Sequence, residues 1–289
     1  MISIENEFLK IAIDANGAEL NSIYDLQNGI EYMWQGDPAF WAKHSPVLFP
    51  IVGTLKSNTY FYKNKDYKLS RHGFARDMVF AVSGQTDSSV TFSLISTGAT
   101  LEKYPFNFRF DIVYTLNGKQ LDVSYAVFNE DKTDIYFSVG GHPAFNVPFL
   151  KNTQYQDYYL EFNKNEKLER WPISKDGLIL QTPKGLLHNS ERLPLTKTLF
   201  YEDALVFKHL ASDTVSLKCN AGKGGFTFKF PDFPYLGIWA AKDADFVCIE
   251  PWCGIADSVE TNQDIIQKEG INKLNAGESF KRTWSLRLF

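Results

Sequence analysis

Apolar and polar residues follow one another at a spacing of two along much of this chain, the habit of strands with one face buried and one wet. Leu9, Ile11 and Ile13 alternate with Lys10, Ala12 and Asp14 before an Asn16-Gly17 turn, and Tyr60-Phe61-Tyr62 meets Tyr67 across residues 63–66 as a hairpin. Segments 106–115 and 120–129 flank Leu116-Asn117-Gly118-Lys119, where Asn-Gly supplies the positive backbone dihedrals that a tight two-residue hairpin needs. Residues 204–210, 214–219, 225–230, 236–241, 246–250 and 279–288 repeat the pattern, with glycine-rich Gly222-Lys223-Gly224-Gly225 read as a hairpin turn between two of them.

Strands at this density predict an all-β protein, a large antiparallel β-sandwich with few short helices. A helical turn or two is expected at 38–43 and at 261–268. The absence of strand-helix alternation excludes a Rossmann fold, and no repeat with a period of tens of residues suggests a propeller. The polar stretch 151–199, with Pro172, Pro183 and Pro194, is the one plausible linker, but strand-like 158–162 interrupts it, so it reads as an excursion from the sandwich. At 289 residues the expectation is one sandwich domain over 1–289.

Composition narrows the function classes. A formal charge of -4 with interspersed signs offers no basic stripe, so nucleic acid is not expected as a partner. Residues 1–5 show no basic leader before an apolar core, and no segment is long enough to cross a bilayer, which points to a cytoplasmic protein without membrane contact. Cys219, Cys248 and Cys253 are odd in number, lack C-x-x-C spacing and sit in or beside apolar runs, as buried free thiols would.

Three stretches place proton-transfer groups in aromatic surroundings. In Arg71-His72-Gly73-Phe74-Ala75-Arg76, an extended backbone would turn His72, Phe74 and Arg76 to one face, though a solvated basic edge strand reads equally well. His142, after Gly140-Gly141 and before Pro143, sits where strand pairing stops, as a proton-transfer group or as a ring bonded to a loop carbonyl. Glu250 ends the run Phe246-Val247-Cys248-Ile249, on the face of Phe246 and Cys248, where desolvation should raise its pKa. Asp203 is a further candidate, as a hydroxyl acceptor or an ordinary turn cap. His44, His188 and His209 have no metal-ligand spacing, so no metal and no cofactor are expected.

In this order and over essentially the full length, R-H-G-F-A-R at 71–76, G-G-H-P-A-F-N-V-P at 140–148, F-P-Y-L-G-I-W at 233–239 and I-E-P-W-C-G at 249–254 resemble the aldose 1-epimerase (galactose mutarotase-like) family. The chain is most similar to its LacX-like branch. The resemblance implies a galactose mutarotase type sandwich with a sugar in an open cleft, His142 as acid, Glu250 as base, and His72, Arg76, Arg71 and Asp203 toward the ligand. It departs from the commonest members in carrying Gly141-His142-Pro143-Ala144-Phe145, and segment 46–56 offers only Lys56 where phosphate-sugar relatives tend to place an arginine.

The expectation is an isomerase that interconverts the anomers of an aldohexose, its partner a small-molecule sugar. The alternatives are a hexose-6-phosphate 1-epimerase, taking a sugar phosphate, and a non-catalytic carbohydrate-binding or sensing protein.

Overall fold

The computed structural model describes residues 1–222 and 224–289. Its largest sheet has nine antiparallel strands, in the spatial order Ser190–Pro194, Tyr158–Glu166, Thr214–Cys219, Gly225–Lys229, Ser279–Leu288, Gln120–Asn129, Phe108–Asn117, Ser89–Ile95 and Ala81–Gln85. Alternation explains its inner face: Phe108, Phe110, Ile112, Tyr114 and Leu116 are all buried, and the residues between them are partly exposed. A second sheet runs Leu205–Phe207, Tyr235–Trp239, Phe246–Cys253, Val139–Gly141 and Val47–Leu48, with Ala144–Asn146 also paired to Phe246–Cys253. Phe49 stacks on Phe110 and Phe145 packs against Phe226, and these contacts carry one apolar core across the two sheets.

Most strand expectations hold, and three local readings change. The hairpin of Phe108–Asn117 and Gln120–Asn129 turns on Gly118-Lys119, because Asn117 pairs with Gln120 inside the ladder. Only Gly118 there has positive φ, at 55°. No helix forms at 38–43, and 261–268 holds a single 3-10 turn, Ile265–Gln267. The one α-helix among the described residues is Gly98–Lys103, where the Thr97 and Thr100 side chains accept hydrogen bonds from each other's backbone N–H. Stretch 151–199 supplies two strands of the large sheet, leaving 167–189 as the excursion. Of the glycine-rich turn, Lys223 lies outside the described residues, and the strands on either side pair as expected.

One irregularity opens a gap in the second sheet. On one side Phe246–Cys253 pairs continuously with Tyr235–Trp239. On the other it pairs first with Ala144–Asn146 and then with Val139–Gly141, and the ladder lapses at His142-Pro143. Gly140 lies opposite Trp252 and Ala144 opposite Cys248, so the gap between them sets His142 opposite Glu250. The Ile249 N–H donates to the Pro143 carbonyl, and two residues on, where the backbone again turns to that side, Pro251 has no N–H to leave unpaired.

The Trp252 indole lies across this floor because its neighbours have no side chains. A Cβ at Gly237 would come within 2.4 Å of the Trp252 ring, and one at Gly140 within 2.6 Å. Gly237→Ala should therefore displace the indole and cost about 1–3 kcal/mol. A lowered thermal midpoint with altered tryptophan fluorescence would register it.

Candidate active site

Above the gap lies a cleft of about 470 Å³. His142 and Glu250 form part of its floor with Trp239 and Trp252, and Trp41, Arg71, His72, Arg76 and Asp203 line it too. All six residues singled out from the sequence are brought together. His142 Nε2 stands 3.2 Å from Glu250 Oε2, with the Glu250 side chain only 2% exposed.

Burial sets the protonation of the pair. Desolvation pushes Glu250 well above the ordinary carboxylate range, an effect that Arg71 opposes and Asp203 reinforces. Desolvation also lowers His142 to about 3, against an opposing contribution from its own backbone carbonyl and with Arg71 and Arg76 adding to the shift. Both effects disfavour charge, so the pair rests as a neutral acid beside a neutral imidazole. The buried atoms Glu250 Oε2, His142 Nδ1 and Trp252 Nε1 have no hydrogen-bond partner. All three of these bare polar atoms belong to residues that line the one cleft.

The Arg71 to Arg76 segment is not extended. Its residues make a turn followed by a 3-10 turn, Ala75–Asp77, because His72 and Gly73 both take left-handed backbone, with φ of 68° and 73°. A Cβ at Gly73 would sit 2.3 Å from the Phe49 carbonyl oxygen, so only glycine fits that approach. The turn sends Phe74 toward Phe49 and Phe108, away from the cleft, while Arg71, His72 and Arg76 line it. The aromatic wall expected from Phe74 comes instead from tryptophans.

His72 is held as a neutral ring. The Gly53 N–H donates to its Nδ1 at 3.1 Å and the Arg71 Nε–H to its Nε2 at 3.3 Å, so donors face both ring nitrogens. Burial drives its pKa well below the usual value, helped by His142, Arg71 and Arg76. Asp203 also has left-handed backbone, with φ of 89°, and its Oδ1 accepts from the Ala204 N–H while lying 3.9 Å from Arg71 Nη2. Such conformations cost roughly 1–3 kcal/mol each for residues other than glycine and are found where function requires them. Arg76 Nη2 is braced on the Arg71 carbonyl at 3.0 Å. Lys56 is absent from the walls, its Nζ bonded to the Val259 carbonyl.

Sequence reasoning missed part of the wall. Trp41 carried no local signal, and Ile173, Gly177 and Ile179 come from excursion 167–189, held in place by the Ile179 N–H donating to the Asp257 carbonyl. Spacing also hid one grouping: ligand atoms of His142, Cys248 and Glu250 lie within 4.8 Å of one another. Cys248 is fully buried and its thiol is pushed well above the ordinary range by that burial and by Glu250, which disfavours the thiolate a metal would need. All three cysteines are free and buried, as expected.

Residues 1–283 match the family described as Aldose 1-epimerase. The chain belongs to the aldose 1-epimerase family. It is 34% identical to the protein LacX, chromosomal, of Lactococcus lactis subsp. lactis, over 99% of each chain. The galactose mutarotase related enzyme of Lactobacillus acidophilus superposes with a TM-score of 0.95 at 36% identity, covering 100% of this chain and 97% of that one. A galactose mutarotase-like protein of Lactobacillus casei ATCC 334 gives 0.94 at 34% identity, with both chains fully covered. The fold is thus the antiparallel β-sandwich of the galactose mutarotase type, and membership supports a sugar epimerase role. No helix among the described residues is long and apolar enough to cross a membrane.

The neutral state of His72 makes stability depend on pH. Its folded pKa lies below the unfolded value of about 6.5, so the unfolded chain takes up the proton first and stability falls as pH drops below that value. Relative to His72→Gln, the native protein should lose up to about 1.4 kcal/mol per pH unit there. Urea midpoints of the two proteins from pH 8 to pH 5 check this, and parallel curves would contradict it.

Proposed function

We propose that this epimerase-family protein interconverts the α and β anomers of a free aldohexose by opening and reclosing the ring, with Glu250 as base and His142 as acid. The reading rests on the opposed placement of these two groups, 3.2 Å apart and buried in the floor of the cleft. Glu250 takes the proton of the anomeric hydroxyl, the bond from the anomeric carbon to the ring oxygen breaks, and His142 protonates that oxygen. The exocyclic oxygen becomes a carbonyl. Rotation about the adjacent carbon-carbon bond presents its other face, and the transfers run backward to close the ring.

In the resting neutral pair the proton sits on Glu250, so the step starts only once that proton has moved to His142. The carboxylate and imidazolium so formed act as base and acid, and ring opening returns them to the neutral carboxylic acid and imidazole that burial favours. Nothing is gained or lost from the pair over a full turn. The Arg71 guanidinium and the Asp203 carboxylate on the cleft wall supply donors and an acceptor for ligand hydroxyls.

The cations favour a free sugar over its phosphate. Arg71 faces Asp203 and Arg76 is braced on a backbone carbonyl and lies near Asp77, so neither guanidinium is free of a partner. A hexose 6-phosphate is the second reading, supported by both arginines lining the cleft. Arg76→Ala should then damage phosphate-sugar turnover far more than free-sugar turnover.

Polarimetry on freshly dissolved α-glucose or α-galactose tests the proposal, and no acceleration over buffer with any free sugar or 6-phosphate would refute it. Glu250→Gln and His142→Gln should each lower kcat by roughly 10²–10⁴-fold. Retained sugar binding by Glu250→Gln would separate catalysis from simple carbohydrate sensing. Because the pair keeps its single proton across neutral pH, kcat should be level there and fall on the acid side only well below the usual histidine range.

A further inference from the structure

His142 poses a problem of orientation. Its Nε2 addresses Glu250, but its Nδ1 is buried and finds no hydrogen-bond partner in any other residue. In catalytic histidines the second nitrogen is ordinarily held by a carboxylate or carbonyl, which fixes the plane of the ring. No other residue supplies that restraint, and aromatic packing stands where it would be. Trp41 lies over the imidazole with centroids 5.0 Å apart and planes at 30°, and Trp239 meets it edge-on at 5.5 Å and 82°.

The two indoles brace each other at 5.5 Å, and both pack on Phe246. Trp41 is itself anchored, since its carbonyl accepts from Trp34 Nε1 at 2.9 Å and its N–H donates to the Asp37 carbonyl at 2.9 Å. Its face is therefore a fixed surface against which the ring can rest. We propose that Trp41 is a positioning residue, whose indole face replaces the missing Nδ1 partner and holds the His142 ring in line with Glu250. The same face, rich in π electrons, favours the imidazolium when it forms. This rests on the acid–base reading of His142 and Glu250.

The test compares the native protein with Trp41→Phe and Trp41→Leu, by anomerisation kinetics and by NMR of the histidine rings in 15N-labelled protein. Trp41→Leu should lower kcat roughly 3- to 10-fold, the range expected for loss of one aromatic contact, with KM and thermal midpoint little changed. Trp41→Phe, which keeps a flat face, should recover most of that loss. The His142 ring signals, displaced by the indole in the native protein, should lose that displacement and broaden in Trp41→Leu as the ring samples other orientations.

Native kcat in Trp41→Leu, or an unaltered His142 signal, would overturn the inference. So would a loss confined to KM, which would make Trp41 a contact for the sugar. Inactivity of the native protein on every sugar would instead defeat the proposed function, and the NMR comparison would still decide whether Trp41 orients the ring.

Discussion

The cleft depends on one cross-strand relation, a histidine and a glutamate set opposite each other in a sheet and then withdrawn from water. Opposed side chains in an antiparallel pair come within about 4.5–5.5 Å at their Cβ atoms, so the register alone delivers His142 to Glu250. Solvent would hold the two as separate ions or let each titrate on its own. Burial opposes that and holds both groups neutral. The lapse of the ladder at His142-Pro143, the missing N–H of Pro251 and the glycines beneath Trp252 leave that relation facing the cleft on one side.

The rest of the wall is built from backbone held in unusual shapes. His72 and Asp203 occupy the left-handed region without being glycine, and Gly73 approaches the Phe49 carbonyl more closely than any side chain permits. These positions give up local stability that the packed sandwich behind them supplies. The gain is that a neutral imidazole and a carboxylate line the cleft from two unrelated turns, with no strand needed to carry them.

Much of the fold was legible because half-buried strands write their period into the letters. Phe108–Asn117 shows it plainly, each second residue being large and apolar. Glu250 was legible for the complementary reason, an acid on an otherwise apolar face. The pairing of Glu250 with His142 was not, since register between distant strands leaves no local trace. The turn at His72-Gly73 stayed hidden behind an extended reading because a left-handed histidine has no compositional signature. Trp41 lies in an irregular segment, where no period singles out one aromatic from another. The order of the four motifs, which carried the family resemblance, supplied what periodicity did not, and the fold and family bear it out.

The proposed chemistry and the far wall of the cleft are carried on different pieces of chain. His142 and Glu250 belong to the sheet, whereas Ile173, Gly177 and Ile179 arrive on a detour that leaves the large sheet after Tyr158–Glu166 and rejoins it at Ser190–Pro194. Both ends of the detour are thus tethered in a ladder, and its middle is pinned at two points, by the Trp171 N–H donating to the Val206 carbonyl and by the Ile179 N–H donating to the Asp257 carbonyl. Under the proposed chemistry, that division assigns the proton transfers to the sheet and the shape of the far wall to one insert.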